Sequence, residues 1–377
     1  MVVVSRHGGA LLVVAGLFLS GCSSVAYYAQ AAWGGLRMLA ADRSIEKVLG
    51  DPATPEGLKR QLEVVVGARA FASAELLLPD NGSYRRYAEI DREYATWVVT
   101  AAPELSLEPV SWCFPVAGCV SYRGYFSERR ARLFASRLDR RGFDVTVSGV
   151  RAFSTLGWFR DPVLSTFVFD SPPALAGVLF HELAHQKVYI KGDTRFNESF
   201  ATFVENEGVR RWLTSRGELE AIANYESGHA RRSEAITLLL AYRKRLEVLY
   251  AGESKEEEKR AAKRSILNEL GEAYRDLEES WSAEIGGSAE PAKRLWNNAD
   301  LVAIEAYNQW TPAFGVLLKE SAGELASFYG AVEAIAELTP EARETRIRDL
   351  LRDLVASSES RASVGVESSA GAAFGGR

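Results

Sequence analysis

The sequence predicts an α+β fold, in which a small mixed β-sheet is followed by a largely helical region. Two observations predict it. Strand-like pieces separated by turn signals are confined to about residues 76–170. After residue 172 nearly every stretch has helical periodicity, broken only by Gly, Pro, Ser or Asn.

Residues 25–75 read as helices, because Tyr27, Tyr28, Trp33, Leu36 and Leu39 recur at helical spacing. Pro55 opens a second run through Leu62, Val65 and Val66. Pro79-Asp80-Asn81-Gly82 is a turn signal. Strands are then expected at Tyr94–Thr100, Trp112–Phe114, Val120–Phe126, Val145–Val150 and Thr166–Phe169. A helix over Ser127–Arg141, stopped by Gly142, interrupts them. The next helix has Ser171 as N-cap, prolines at 172 and 173 in its first turn, and Lys191-Gly192 as its stop. Helices are expected after it over 194–215, 217–251, 254–284, 291–309, 311–337 and 339–355. The charge run Glu253–Arg264 fits a solvated helical face. Residues 357–377, rich in Ser, Ala and Gly, are expected to be disordered.

The N-terminus reads as a targeting segment. The apolar run Ala10–Leu19 is shorter than the roughly 20 residues that span a bilayer. Leu19-Ser20-Gly21-Cys22 follows and resembles the lipobox of bacterial lipoproteins, in which the Cys becomes the lipidated first residue. Ser23, not Asp, comes next, which in Gram-negative bacteria implies outer-membrane sorting, facing the periplasm. The protein is then anchored by lipid and otherwise soluble. Cys113 and Cys119 remain as an even pair in an oxidising compartment, consistent with a short-loop disulfide. The net charge of −5 gives no reason to expect nucleic acid as a partner.

Residues 181–185 read His-Glu-Leu-Ala-His. His181 and His185, at i and i+4, lie on one helical face and can reach one metal ion. Glu182, beside the first, can take a proton from a metal-bound water. A catalytic zinc needs three protein ligands and one open position. The chain has four His, and of these only His229 is left over, His7 being lost with the signal. Lys191 occupies the place where a third His would extend the motif. The third ligand is therefore a carboxylate or His229. Glu198 is the strongest candidate, since a turn at Gly192-Asp193-Thr194 lets a new helix fold back against the first. Glu205, seven residues on, shares its face and can instead orient a ligand His. Tyr307 is the first candidate for a second oxyanion donor, with Tyr225 and His229 behind it. Glu205 and Asp161 are candidates for holding a substrate amine.

Asn197-Glu198-Ser199-Phe200-Ala201 resembles the third-ligand helix of gluzincin aminopeptidases, in which the Glu is the third zinc ligand. The gap between the two helices is shorter here. The chain from 22 to about 330 also resembles bacterial predicted zinc aminopeptidases with a lipoprotein signal. The resemblance rests on Cys113–Cys119, Tyr122–Phe126, Phe153–Phe159 with Asp161-Pro162, His181–Gln186, Phe196–Glu205, and Asn297-Asn298-Ala299 followed by Tyr307 and Pro312. Phe153 departs from it, standing where Tyr is expected. The resemblance implies metallopeptidase activity on peptides. The expected organisation is a signal peptide over 1–21, helices over 22–75, a zincin-like catalytic core over 76–215, a helical region completing the cleft over 216–356, and the tail. Val163–Phe169 is the nearest candidate for an edge strand pairing with substrate. Two alternatives are a zinc endopeptidase and a lipid-anchored envelope scaffold with a structural or vestigial zinc site. Glu182 argues against the scaffold, because a structural site needs no base beside its ligands.

Overall fold

The computed structural model describes residues 27, 30, 34–35, 42–114, 118–152, 154–284 and 294–354. Cys22, the signal segment, Phe153 and the tail over 357–377 lie outside the described residues. The fold is α+β.

Among the described residues, three small sheets carry the β-structure. In the first, β1 (Asp42–Ser44) pairs antiparallel with β2 (Arg86–Ala88), which pairs in parallel with β8 (Val163–Leu164). In the second, β3 (Thr96–Pro103) lies between β6 (Arg123–Tyr125) and β7 (Phe143–Val150), antiparallel to both. The third is a hairpin of β4 (Trp112–Phe114) and β5 (Gly118–Val120), with Cys113 opposite Cys119 and joined to it by a disulfide.

The helices preceding the motif are α1 (Ile45–Leu49), α2 (Glu56–Ala74) and α3 (Glu128–Asp139). The motif helix is α4 (Pro172–Lys187), and α5 (Thr194–Ser215) folds back against it. A long pair follows, α6 (Leu219–Ala251) and α7 (Glu256–Glu284), then α8 (Asn298–Asn308), α9 (Thr311–Glu320), α10 (Leu325–Ala336) and a last helix over 340–354.

The main core is built around α4. Leu175, Ala176, Leu179, Phe180, Leu183 and Ala184 are all fully buried, so α4 is apolar on most of its circumference and sits inside the molecule. Leu62 and Val65 of α2, Leu164 of β8, Phe196 and Phe200 of α5, Phe314 of α9 and Phe328 of α10 complete it. A second cluster joins α6, α7 and α8 through Leu246, Leu270 and Leu301, and a third lies under α3. Among the described residues no helix is long and apolar enough to cross a membrane.

The structure departs from the expected elements where local contacts override periodicity. Residues 42–44 form β1 inside a stretch expected to be helical, and β2 was not expected. The expected strand Val120–Phe126 is divided between β5 and β6. Residues 165–169 turn instead of extending, because Phe167 and Val168 donate back to the Leu164 carbonyl. The candidate edge strand there is thus reduced to Val163–Leu164, which is buried. The helix expected over 311–337 breaks at Ala322 and Gly323, both at positive φ. In the charge run, Lys263 is buried rather than solvated and donates to Asp144 at 2.6 Å.

Candidate metal centre

Helix α4 ends at Lys187, four residues before Lys191. Asn197 accounts for the early stop. Its side chain accepts from Ile190 N and donates to Ile190 O, both at 2.8 Å, replacing helical bonds there. Asp193 then caps α5 by accepting from Phe196 N, and Arg343 holds the cap by donating to Asp193 Oδ2 at 2.8 Å. The disulfide hairpin closes over this turn. A Cβ on Gly118 would lie 2.7 Å from Gly192 N, so only glycine allows the two backbones to meet.

This turn sets Glu198, in the first turns of α5, against the His face of α4. Glu198 Oε2 lies 3.4 Å from His181 Nε2 and 3.6 Å from His185 Nε2. Donor atoms of the three residues all lie within 4.8 Å of one another. Those separations are long for hydrogen bonds. They match ligands around one ion: bonds of about 2.0–2.1 Å in a tetrahedron place ligands ~3.4 Å apart. The donor set of two imidazoles and one carboxylate suits zinc.

Glu205 lies one step outside. Its Oε2 stands 3.1 Å from His181 Nδ1, which assigns the proton to Nδ1 and leaves Nε2 free to bind metal. His185 Nδ1, in contrast, is buried and has no hydrogen-bond partner among the described residues. Glu205→Gln is expected to weaken zinc affinity by about 10–100-fold with the fold intact, read by competition against a zinc chelator.

The electrostatics follow from three carboxylates around two imidazoles. Burial alone would lower the His181 pKa, but the Glu198 carboxylate close by and the hydrogen bond to Glu205 outweigh it and hold it well above 6.5. Burial would raise Glu198, but the close approach of His185 and His181 brings it down to about 2. Glu205 is lowered too, its bond to His181 overcoming burial. Glu182 is raised by burial, against the pull of His181 and His185. A protonated imidazole cannot bind metal, so metal binding to the free protein displaces a proton from His181. Because that pKa lies above 6.5, zinc affinity is expected to fall with acidification already above pH 6.5. Chelator competition across a pH series checks this, and affinity flat down to pH 6.5 would contradict it.

Tyr307 ends α8 and is 39 % exposed, yet Glu198 is the largest influence on its hydroxyl and raises its pKa well above 10.0. Its helix is fixed at the far end. Asn297 caps α8 in a capping box, and Asn298 donates to the carbonyls of Pro103, Glu104 and Ser106. His229, the alternative third ligand, is exposed on α6 and outside the three-residue cluster. Tyr225 is tied to Asn206, donating to its Oδ1 at 3.1 Å. Asp161 is fully buried and accepts from Thr155 N, Thr155 Oγ1 and Ser154 Oγ.

Three tyrosines near the site escaped the sequence reading. The Tyr122 hydroxyl is raised by burial and then by Glu198. Its signal was position, two residues beyond β5 of the disulfide hairpin. Tyr189 lies four residues past His185, and their ring centroids are 6.4 Å apart. Tyr84 is buried, and its φ is +62°. Burial and then Glu182 raise its pKa. Nothing in its sequence neighbourhood signals that place.

Two imidazoles and a carboxylate around one point, with a further carboxylate beside them, are the donor arrangement of metal-dependent hydrolases. The chain belongs to the family described as "Putative aminopeptidase", whose model matches residues 26–347. Membership supports a peptidase function. No curated protein and no solved structure matches the chain.

Proposed function

We propose that the chain is a zinc-dependent peptidase of aminopeptidase type, lipid-anchored at Cys22 in a bacterial envelope and facing the periplasm from the outer membrane. The observation that carries the catalytic part is the spacing of Glu198 from His181 and His185, 3.4 and 3.6 Å, with Glu182 beside them. His181, His185 and Glu198 would hold the ion. Zinc bound there would polarise a substrate carbonyl and lower the pKa of water. Glu182 takes the proton from the attacking water on its carboxylate and passes it to the leaving amine. The raised pKa of Tyr307 keeps its hydroxyl protonated at neutral pH, so it can donate to the developing oxyanion. The anchor rests on Leu19-Ser20-Gly21-Cys22.

A zinc endopeptidase is the second reading, and one observation favours it. Glu205 is bonded to His181, and Asp161 to Ser154 and Thr155, so neither is open to hold a substrate amine. Digestion of a peptide library at neutral pH, with and without chelator, tests both. Cleavage that chelation stops and zinc restores supports the peptidase. N-terminal trimming supports the first reading and internal cuts the second. Fully zinc-loaded protein that cleaves nothing would sink both.

A further inference from the structure

The loop over 154–160 lies beside the face of α4 that carries Glu182 and Gln186. Glu182 and Gln186 are one turn apart on the same helical face. Gln186 grips the neighbouring loops. It accepts from Asn81 Nδ2 at 2.6 Å and donates to Ser83 Oγ at 3.3 Å. Gly157, at φ +79°, lies so close that a Cβ on it would sit 3.2 Å from Gln186 Oε1.

The loop is braced from within as well. Asp161 accepts from the Thr155 backbone and hydroxyl, and Thr155 Oγ1 accepts from Phe159 N at 3.0 Å. The braced loop leaves two adjacent large aromatics in solvent, Trp158 at 72 % and Phe159 at 59 % exposure. Apolar surface held out in this way marks a binding site, and aromatic rings are effective anchors there. The loop is pinned through Gly157 to Gln186, the residue that follows His185 and stands one helical turn from Glu182.

We infer that loop 154–160 is the wall of the substrate cleft on the Glu182 side, and that Trp158 and Phe159 form a subsite for a large apolar side chain of the peptide. This rests on the peptidase reading and adds a preference to it.

Binding is measured on the zinc-loaded full chain carrying Glu182→Gln, by fluorescence titration with alanine pentapeptides bearing one Phe at each position in turn. One Phe position is expected to tighten binding by about 10-fold or more. Adding Trp158→Ser or Phe159→Ser should bring that peptide to within about 3-fold of the all-alanine one. Both side chains are exposed, so neither change removes core packing. Unchanged preference in both variants overturns the inference. So does unchanged preference together with loss of self-association or of binding to phosphatidylglycerol vesicles, which would assign the pair to a second copy or a bilayer. Cleavage by the unsubstituted chain is scored separately. A Phe preference erased in both variants, without cleavage by that chain, would sustain the subsite and remove the peptidase.

Discussion

Glu182→Gln is expected to reduce kcat/KM for peptide hydrolysis by about 10²–10⁴-fold while zinc content stays at the unsubstituted level. The exchange keeps size and shape but removes the proton acceptor. It takes no candidate ligand away, since the converging donors belong to His181, His185 and Glu198. Burial raises the Glu182 pKa above its usual 4.5, towards the neutral range where a general base works best. The sign of the pH effect follows. The base must be deprotonated, so activity should decline with acidification as Glu182 takes up a proton, and the Gln variant should lack that limb. Steady-state kinetics on the best library peptide, paired with metal analysis, checks both points. Full activity in the Gln variant would remove Glu182 from the chemistry.

The motif was legible because its chemistry is local. His181, Glu182 and His185 lie within five residues of one helix, and helical geometry alone puts the imidazoles on one face. Glu198 was legible for a related reason: a short turn between two helices leaves few ways to pack them. Long helices were read well, since α5 spans Thr194–Ser215 as expected. The short strands were read poorly. β1 is three residues long, and its pairing with Arg86–Ala88 depends on a partner more than forty residues away. The same holds for Tyr84, Tyr122 and Tyr189, which reach the site through tertiary packing. The exposure of Trp158 and Phe159 was likewise not legible, since it depends on how their loop is braced by Asp161 and seated against Gln186.

Glu198→Ala is expected to weaken zinc binding by more than the roughly 100-fold assigned to a residue that only orients a ligand, and to abolish peptide hydrolysis at limiting zinc. Charge explains why the effect should exceed that of Glu205→Gln. With both imidazoles neutral, Glu182, Glu198 and Glu205 place three negative charges in one small, largely buried volume. Uncompensated buried charge is costly, and a dication offsets most of it. Without the ion, a proton on His181 offsets part of it, which is why His181 is held above 6.5, and the neighbouring imidazoles bring Glu198 down to about 2. Glu198 is the only one of the three carboxylates that faces Nε2 of both imidazoles. Its loss therefore removes a ligand and the charge that draws the cation in. The variant's His181 should titrate lower than in the metal-free parent, because one of the two carboxylates beside it is gone. NMR titration of the imidazole resonances in the two metal-free proteins measures that shift. Calorimetric titration with zinc measures the affinity, and affinity equal to the parent's would mean that Glu198 is not a ligand.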